Sequence, residues 1–237
     1  MAPLYKAVKQ KLAEELRHGR WRHGQVIPSE PVLAKRYGVS VGTLRRAVGE
    51  LVAENILLRE QGRGTFVASH TRDYMLNVFF RIEDREGRRT LPDSELISFR
   101  RGQANRACAA ALQIAVGDPI FRIRARLRLQ GRPVILDDIR LPARVFPDLN
   151  EHIFSQRDTT LYGMFQARYG ITVARTTEAL SAELADRRTC RALNLRPPAA
   201  VLKVIRTAYA HKDLPVDWRT RYVSTERHRY LSVLGRP

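Results

Sequence analysis

The sequence predicts an α+β chain in two parts, and three observations carry that prediction. Its 237 residues are long for a single hydrophobic core and comfortable for two. Residues 4–52 hold apolar positions at helical spacing, followed by a glycine-spaced basic hairpin at 61–67. From Met75 onward the rhythm changes to alternating strands and short helices, the pattern of an antiparallel sheet with helices packed on it.

Composition bounds the partners. Hydrophobic residues at 44% and charged residues at 28% are ordinary for a soluble globular protein. The net charge of +18 points to a polyanion such as nucleic acid. It does not locate the contact. Of the 42 Lys+Arg only Lys6, Lys9, Lys11, Lys35, Lys203 and Lys212 are lysines, so arginine usage inflates the figure, and the excess is spread over both halves. Cys108 and Cys190 are too few and too isolated for a disulfide framework or a zinc site, and they read as reduced core residues. The start, MAPLYKAVKQKL, lacks the apolar core of a signal peptide. No apolar run approaches the ~20 residues of a membrane span. The expectation is a soluble, cytoplasmic protein with no membrane partner, metal or cofactor.

Within the first part, Leu4, Val8, Leu12 and Leu16 form one stripe of a first helix that Gly19 ends. Pro28-Ser29-Glu30-Pro31 opens a second, with Ser29 as N-cap and Leu33, Ala34 and Tyr37 inside. Tyr37-Gly38-Val39-Ser40 is a tight break. Ser40 then caps a third helix that buries Leu44, Val48 (or Ala47), Leu51 and Val52. Its outer face carries Val41, Gly42, Thr43, Arg45 and Arg46. Gly42 removes bulk, Val41 and the Thr43 methyl suit a thymine methyl, and Arg45 or Arg46 suits guanine or phosphate. A solvated helix face is the plainer alternative.

Gln61-Gly62-Arg63-Gly64-Thr65 admits two readings. A phosphate-cradling loop would lead into a helix. Thr65-Phe66-Val67 is β-branched and aromatic, so a hairpin wing with Arg63 at its tip fits better. Capped helix, break, capped helix and wing together predict a winged helix-turn-helix over residues 1–68 that docks on double-stranded DNA.

These residues resemble the GntR family of bacterial transcription regulators. The resemblance runs through Pro3-Leu4-Tyr5, Gly24, Pro28-Ser29-Glu30, Leu33-Ala34, Val39-Ser40, Thr43–Ala47 and Gln61–Val67. It implies DNA contacts from Ser40, Val41, Gly42, Thr43, Arg45, Arg46, Gln61, Gly62, Arg63, Gly64 and Thr65. Family members commonly carry arginines where Pro31 and Val41 stand, so this chain lacks two charge-assisted contacts.

A polar stretch places a short linker at 69–74 and a second domain over 75–237. There the patterns predict helices over 105–112 and 160–169, a hairpin over 120–129 and 134–141, and a long strand over 172–184. Asp186 caps a further helix reaching Leu193, and 201–210 pairs with 216–223 in a second hairpin. Gln130–Asp137 and Lys212–Asp217 echo each other, each a turn, then Pro-Val, then a strand with an early Asp. Two related halves around one antiparallel sheet, with a small-molecule cleft between them, follow from that echo.

The second part resembles the ligand-sensing (UTRA-type) domain of the HutC-type branch of that family, which has a chorismate-lyase-like fold. The resemblance rests on Val116–Pro119, Gly131–Val134, Leu141-Pro142, Thr160–Tyr162 and Leu214–Asp217. It implies an effector grip at Arg126, Arg128, Asp137, Thr160, Tyr162 and Asp217. Arg219, where relatives often have a small residue, joins this expected effector site, and with Arg221 it shares the Asp217 strand face and adds positive charge. Arg122, Arg124, Arg126 and Arg128 share one face of a strand, with a solvated sheet face as the plainer reading of that row.

Guanidinium forks and a helix start favour phosphate or carboxylate, so the expected partner is a small anionic effector. The resemblance further implies a homodimeric repressor on a pseudopalindromic operator. An enzyme of chorismate-lyase-like fold tethered to a DNA-binding module is the alternative, yet the chain has no HExxH, GxSxG, CxxC or P-loop, and no catalytic residue is assigned.

Overall fold

The computed structural model describes residues 3–22, 24–54, 56–69 and 75–232, without the side chains of Arg17 and Asn77. The expected linker at 69–74 lies outside this range except for Ser69. Among the described residues no helix is long and apolar enough to cross a membrane.

Helices α1 (Leu4–Arg17), α2 (Glu30–Tyr37) and α3 (Val41–Ala53) precede a hairpin of β1 (Leu57–Glu60) and β2 (Gly64–Val67). Leu12, Leu33, Leu44, Leu51 and Leu57 are fully enclosed at their centre. Burial of each stabilises the module by about 1.5–3 kcal/mol. Leu4, the first member of the expected stripe, is instead 61% exposed, because the helix begins there and its stripe meets the core only from Val8 onward. Ser29 has N-cap geometry at α2 but makes no side-chain cap bond. Ser40 does: its Oγ accepts from the Thr43 amide at 3.1 Å. Gly38, left-handed at φ 65°, turns the chain between the two helices. In the wing, Gly64 sits at φ 117° with Val26 so near that a Cβ would lie 3.1 Å from it.

The second part is built on a six-stranded sheet. Its strands are β4 (Asp93–Gln103), β5 (Pro119–Leu129), β6 (Arg132–Pro142), β7 (Arg175–Leu184), β8 (Ala200–Tyr209) and β9 (Pro215–Ser224). They lie in the order β4-β5-β6-β9-β8-β7, and every neighbouring pair is antiparallel. With α4 (Arg106–Leu112) and α7 (Arg187–Leu193) the chain runs strand, helix, hairpin twice, and the two halves meet at β6 and β9. Both helices pack on one face of the sheet. Cys108 of α4 and Cys190 of α7 are buried free thiols, as expected.

The opposite face carries the main core, with Phe121, Ile123, Ile139, Phe146 and Phe165 among its members. It is covered by α5 (Glu151–Ser155), α6 (Leu161–Tyr169) and a π-helical turn at Met75–Phe79. A two-stranded sheet of β3 (Ile82–Asp84) and β10 (His228–Tyr230) flanks it.

Helix α6 starts tightly. Thr160 caps it, its Oγ1 accepting from Gly163 N at 3.1 Å, and Thr159 folds directly over Gly163. A methyl at 163 would collide with Thr159 Oγ1 and stand 3.2 Å from both Thr159 Cγ2 and Thr160 Oγ1. Gly163→Ala is therefore expected to lower stability by roughly 1–3 kcal/mol in urea unfolding. Unchanged or raised stability would mean that Thr159 moves aside without cost.

Candidate functional site

Two regions gather the expected site residues. The first is the exposed side of α3 and the wing. Ser40, Val41, Gly42, Arg45, Arg46, Gln61, Gly62, Arg63 and Gly64 are exposed, with Thr43 and Thr65 half-buried between them. Arg45 is anchored through Nε to Glu30 Oε2 at 2.8 Å, and its side chain is still 65% exposed. Arg59 of β1, which the sequence reading did not single out, takes the other Glu30 oxygen at 2.8 Å. Glu30 thus holds two arginines, one from the helix and one from the wing, on the same side. Arg46 lies over the Tyr5 ring of α1 at 3.9 Å, and Arg63 over Phe66 at 5.6 Å. The cationic groups are positioned while their outer edges stay in water, an arrangement suited to phosphate and base edges.

The second region is a cavity of about 220 Å³ on the sheet face opposite α4 and α7. Its floor is Ala125 and Leu127 of β5, Asp137 and Ile139 of β6, Arg206 of β8, and Arg219 and Arg221 of β9. One wall is the turn carrying Met75 and Phe79, continued by Phe80. A second is formed by Phe154, Ser155 and residues 157–162, from the end of α5 to the first turn of α6, and residues 91–94 leading into β4 complete the lining.

The floor holds a buried ion network. Arg221 donates from Nε and Nη2 to the two oxygens of Asp137, both at 2.7 Å. Arg219 reaches Asp217 Oδ2 from Nε at 2.8 Å and Asp137 Oδ2 from Nη1 at 3.3 Å. The Tyr162 hydroxyl donates to the same Asp217 oxygen at 3.0 Å, and the Arg219 guanidinium lies 5.4 Å from the Tyr162 ring centre. Arg206 pairs with Glu178 and donates from Nη2 to the Phe79 carbonyl at 2.7 Å. Burial alone would raise the pKa of Asp137, but Arg221 and Arg219 hold it below the usual carboxylate range. Glu178 is likewise held low against its burial by Arg206 and by the Tyr230 hydroxyl. The Tyr162 phenol is pushed up to about 12, first by burial and then by the charge on Asp217.

Of the expected effector residues, Asp137, Thr160, Tyr162 and Arg219 line this cavity. Asp217 stands behind it, fully enclosed, fixing Arg219 and Tyr162. Arg126 and Arg128 are not there. They lie on the opposite face, sharing Glu95 at 3.0 and 3.1 Å, and Arg126 also donates to the Ala192 carbonyl of α7. The reason is strand alternation: Ala125 and Leu127 face the cavity, so the residues one position along cannot. Three further arginines line the cavity that the sequence did not assign to an effector site: Arg157, Arg206 and Arg221. Arg221 carried a signal, since it shares the β9 face with Asp217 and Arg219. Arg206 and Arg157 carried none, because their approach depends on the order of strands and on a loop.

Comparison with known proteins agrees with this architecture. Residues 4–67 match the model of the bacterial regulatory proteins, gntR family, and residues 87–229 match the UTRA domain. A probable transcriptional regulator of Escherichia coli (strain K12), PhnF, is 31% identical over 212 residues, covering 88% of this chain and 85% of that protein. The transcriptional repressor NagR of Bacillus subtilis (strain 168) is 25% identical over 236 residues, covering 99% and 96%. Among solved structures, the ligand-binding domain of a Bordetella bronchiseptica protein assigned to the GntR-family regulators superposes with a TM-score of 0.62 at 26% identity, covering 65% of this chain and 96% of that one. PhnF from Mycobacterium smegmatis shares the fold over 96% of this chain and 99% of its own, with a TM-score of 0.55 at 22% identity. These relatives are transcriptional regulators rather than enzymes. The chain belongs to the gntR family of bacterial regulatory proteins, with a UTRA domain as its C-terminal part.

Proposed function

We propose that this regulator is a repressor whose hold on a pseudopalindromic operator is released by a small anionic metabolite bound in the cavity of the UTRA domain. The observation that carries the effector class is the arginine-rich lining, with Arg157, Arg206, Arg219 and Arg221 converging on one half-open cavity. Repression is the sign borne by the name of NagR. The protein acts as a homodimer, with residues 1–68 reading DNA, 69–74 linking, and 75–237 sensing and pairing. Two recognition helices then meet half-sites about 34 Å apart, one turn of DNA.

Helix α6 supplies a route between the sites. Its first turn lines the cavity, and from its second half Gln166 Nε2 donates to the Ala68 carbonyl at the end of the wing, at 3.2 Å. Leu58 of the wing packs against the sensing-domain core. An effector that favours one position of α6 biases the wing and the half-site spacing with it.

Isothermal titration of the full-length protein with a panel of organic acids and phosphosugars, followed by operator gel shifts, tests this reading. Release by neutral or cationic compounds alone would defeat it. For the DNA contact, Arg45→Ala is expected to cost roughly 1–3 kcal/mol on the operator and to relax preference at one base position; uniform weakening on all DNA would make Arg45 a phosphate contact instead. For the coupling, Gln166→Ala should leave operator affinity nearly intact while raising the effector concentration for half-release by about fivefold or more. An unchanged release curve would remove Gln166 from the route.

A further inference from the structure

The four cavity arginines are not equivalent. Arg206, Arg219 and Arg221 each face a protein carboxylate, respectively Glu178, Asp217 and Asp137. Arg157 faces none. Its Nη1 donates to the Phe154 carbonyl and its Nη2 to Ser94 Oγ at 2.6 Å, both neutral acceptors, while its guanidinium stacks 4.1 Å from the Phe154 ring centre. Its Nε is buried and has no hydrogen-bond partner among the described residues. Asp93 and Asp158 also line the cavity, but both are exposed and neither is within ion-pair distance of Arg157. Burial, and then repulsion from Arg219, lower the pKa of this guanidinium to about 10.

A half-buried cation fixed by two neutral acceptors and lacking a counter-charge is costly, and an anion bound in the cavity that Arg157 lines would supply the missing charge. The apolar parts of the same space, Leu127 on the floor and Phe80 on a wall, can take the body of a ligand but not its charge.

We propose that Arg157 is the specificity-determining residue of the cavity, the guanidinium that takes the single compact anionic group of the effector, a carboxylate or a phosphate, while the effector's body lies on Leu127 and Phe80. This rests on the anionic-effector reading above and narrows it. The floor arginines are already neutralised by the protein, so the cavity selects ligands with one anionic group attached to an apolar or hydroxylated body and rejects polyanions.

Benzoate, phenyl phosphate and neutral benzamide share one body and differ in charge, so they serve as probes with the full-length protein by calorimetry and thermal shift. Benzoate or phenyl phosphate should bind the wild-type protein more tightly than benzamide, and whichever is tighter identifies the anion. Arg157→Gln should weaken that anion about tenfold to a hundredfold and leave benzamide unaffected. Arg157→Lys, which keeps the charge without the fork, should fall between the two. The ligand-free melting temperature of Arg157→Gln should stay within about 2 °C of wild type, since the substitution also removes a charge that burial disfavours. Arg128→Gln, on the far face, should bind like wild type. Anion binding by Arg157→Gln within about twofold of wild type, together with its loss in Arg221→Gln, would overturn the role of Arg157 while leaving an anionic cavity in place. Failure of both anions to bind the wild-type protein better than benzamide would sink the anionic reading, and this assignment with it.

Discussion

Asp137 is the group on which the sensing domain turns. It sits on β6, on the seam where the two halves of the sheet meet, and it receives both guanidinium groups that β9 sends to that face. Taking three charges out of water costs several kcal/mol per ion, and only their close pairing offsets it. That requirement makes the seam selective. A slip of β9 by one residue would turn Arg219 and Arg221 toward α4 and α7 and leave Asp137 buried without a partner. The network therefore fixes register more than it adds net stability. Through Asp217 and Tyr162 it also fixes the height of α6 above the sheet, and hence the shape of the cavity.

The same sheet gives arginine opposite meanings on its two faces. On the α4/α7 face, Arg124 forms a fork with Asp138, and Arg126 and Arg128 converge on Glu95. Those are cross-strand pairs that tie β5 to its neighbours. On the cavity face, arginines from β8 and β9 are enclosed, and their partners decide what charge is left for a ligand. An arginine row along a strand thus identifies a face, while the carboxylates opposite it identify the task.

Much of this fold was legible because its signals are local. The Ser40 cap, the Gly38 turn, the wing glycines and the Asp186 cap each determine structure within a few residues. The repeat of Pro-Val and Asp in two hairpins likewise announced the two halves that the strand order bears out. β4 escaped because a bulge between Leu96 and Ser98 breaks its alternation, and α5 because five residues carry too little period. The lining of the cavity was only half legible. Asp137, Thr160, Tyr162 and Arg219 reach the cavity, whereas Arg126 and Arg128 are displaced by one position along a strand whose alternation was itself read correctly. Which face of β5 looks into the cavity depends on where α6 packs, and no pattern within β5 contains that information.

The cavity's parts also differ in how firmly they are held. The floor is a central sheet locked by buried ion pairs, a poor candidate for movement. The walls are different: α6 is attached to the wing through Gln166, and the Met75–Phe79 turn follows directly after the proposed linker and is held to the floor by Arg206 at the Phe79 carbonyl. These two walls thus lead back toward the N-terminal domain. On the proposed reading, an effector resting on a rigid floor and drawn toward Arg157 works against these two walls. Closure against them is delivered to the wing or to the C-terminal end of the proposed linker, because the sheet beneath cannot yield without breaking the Asp137 network.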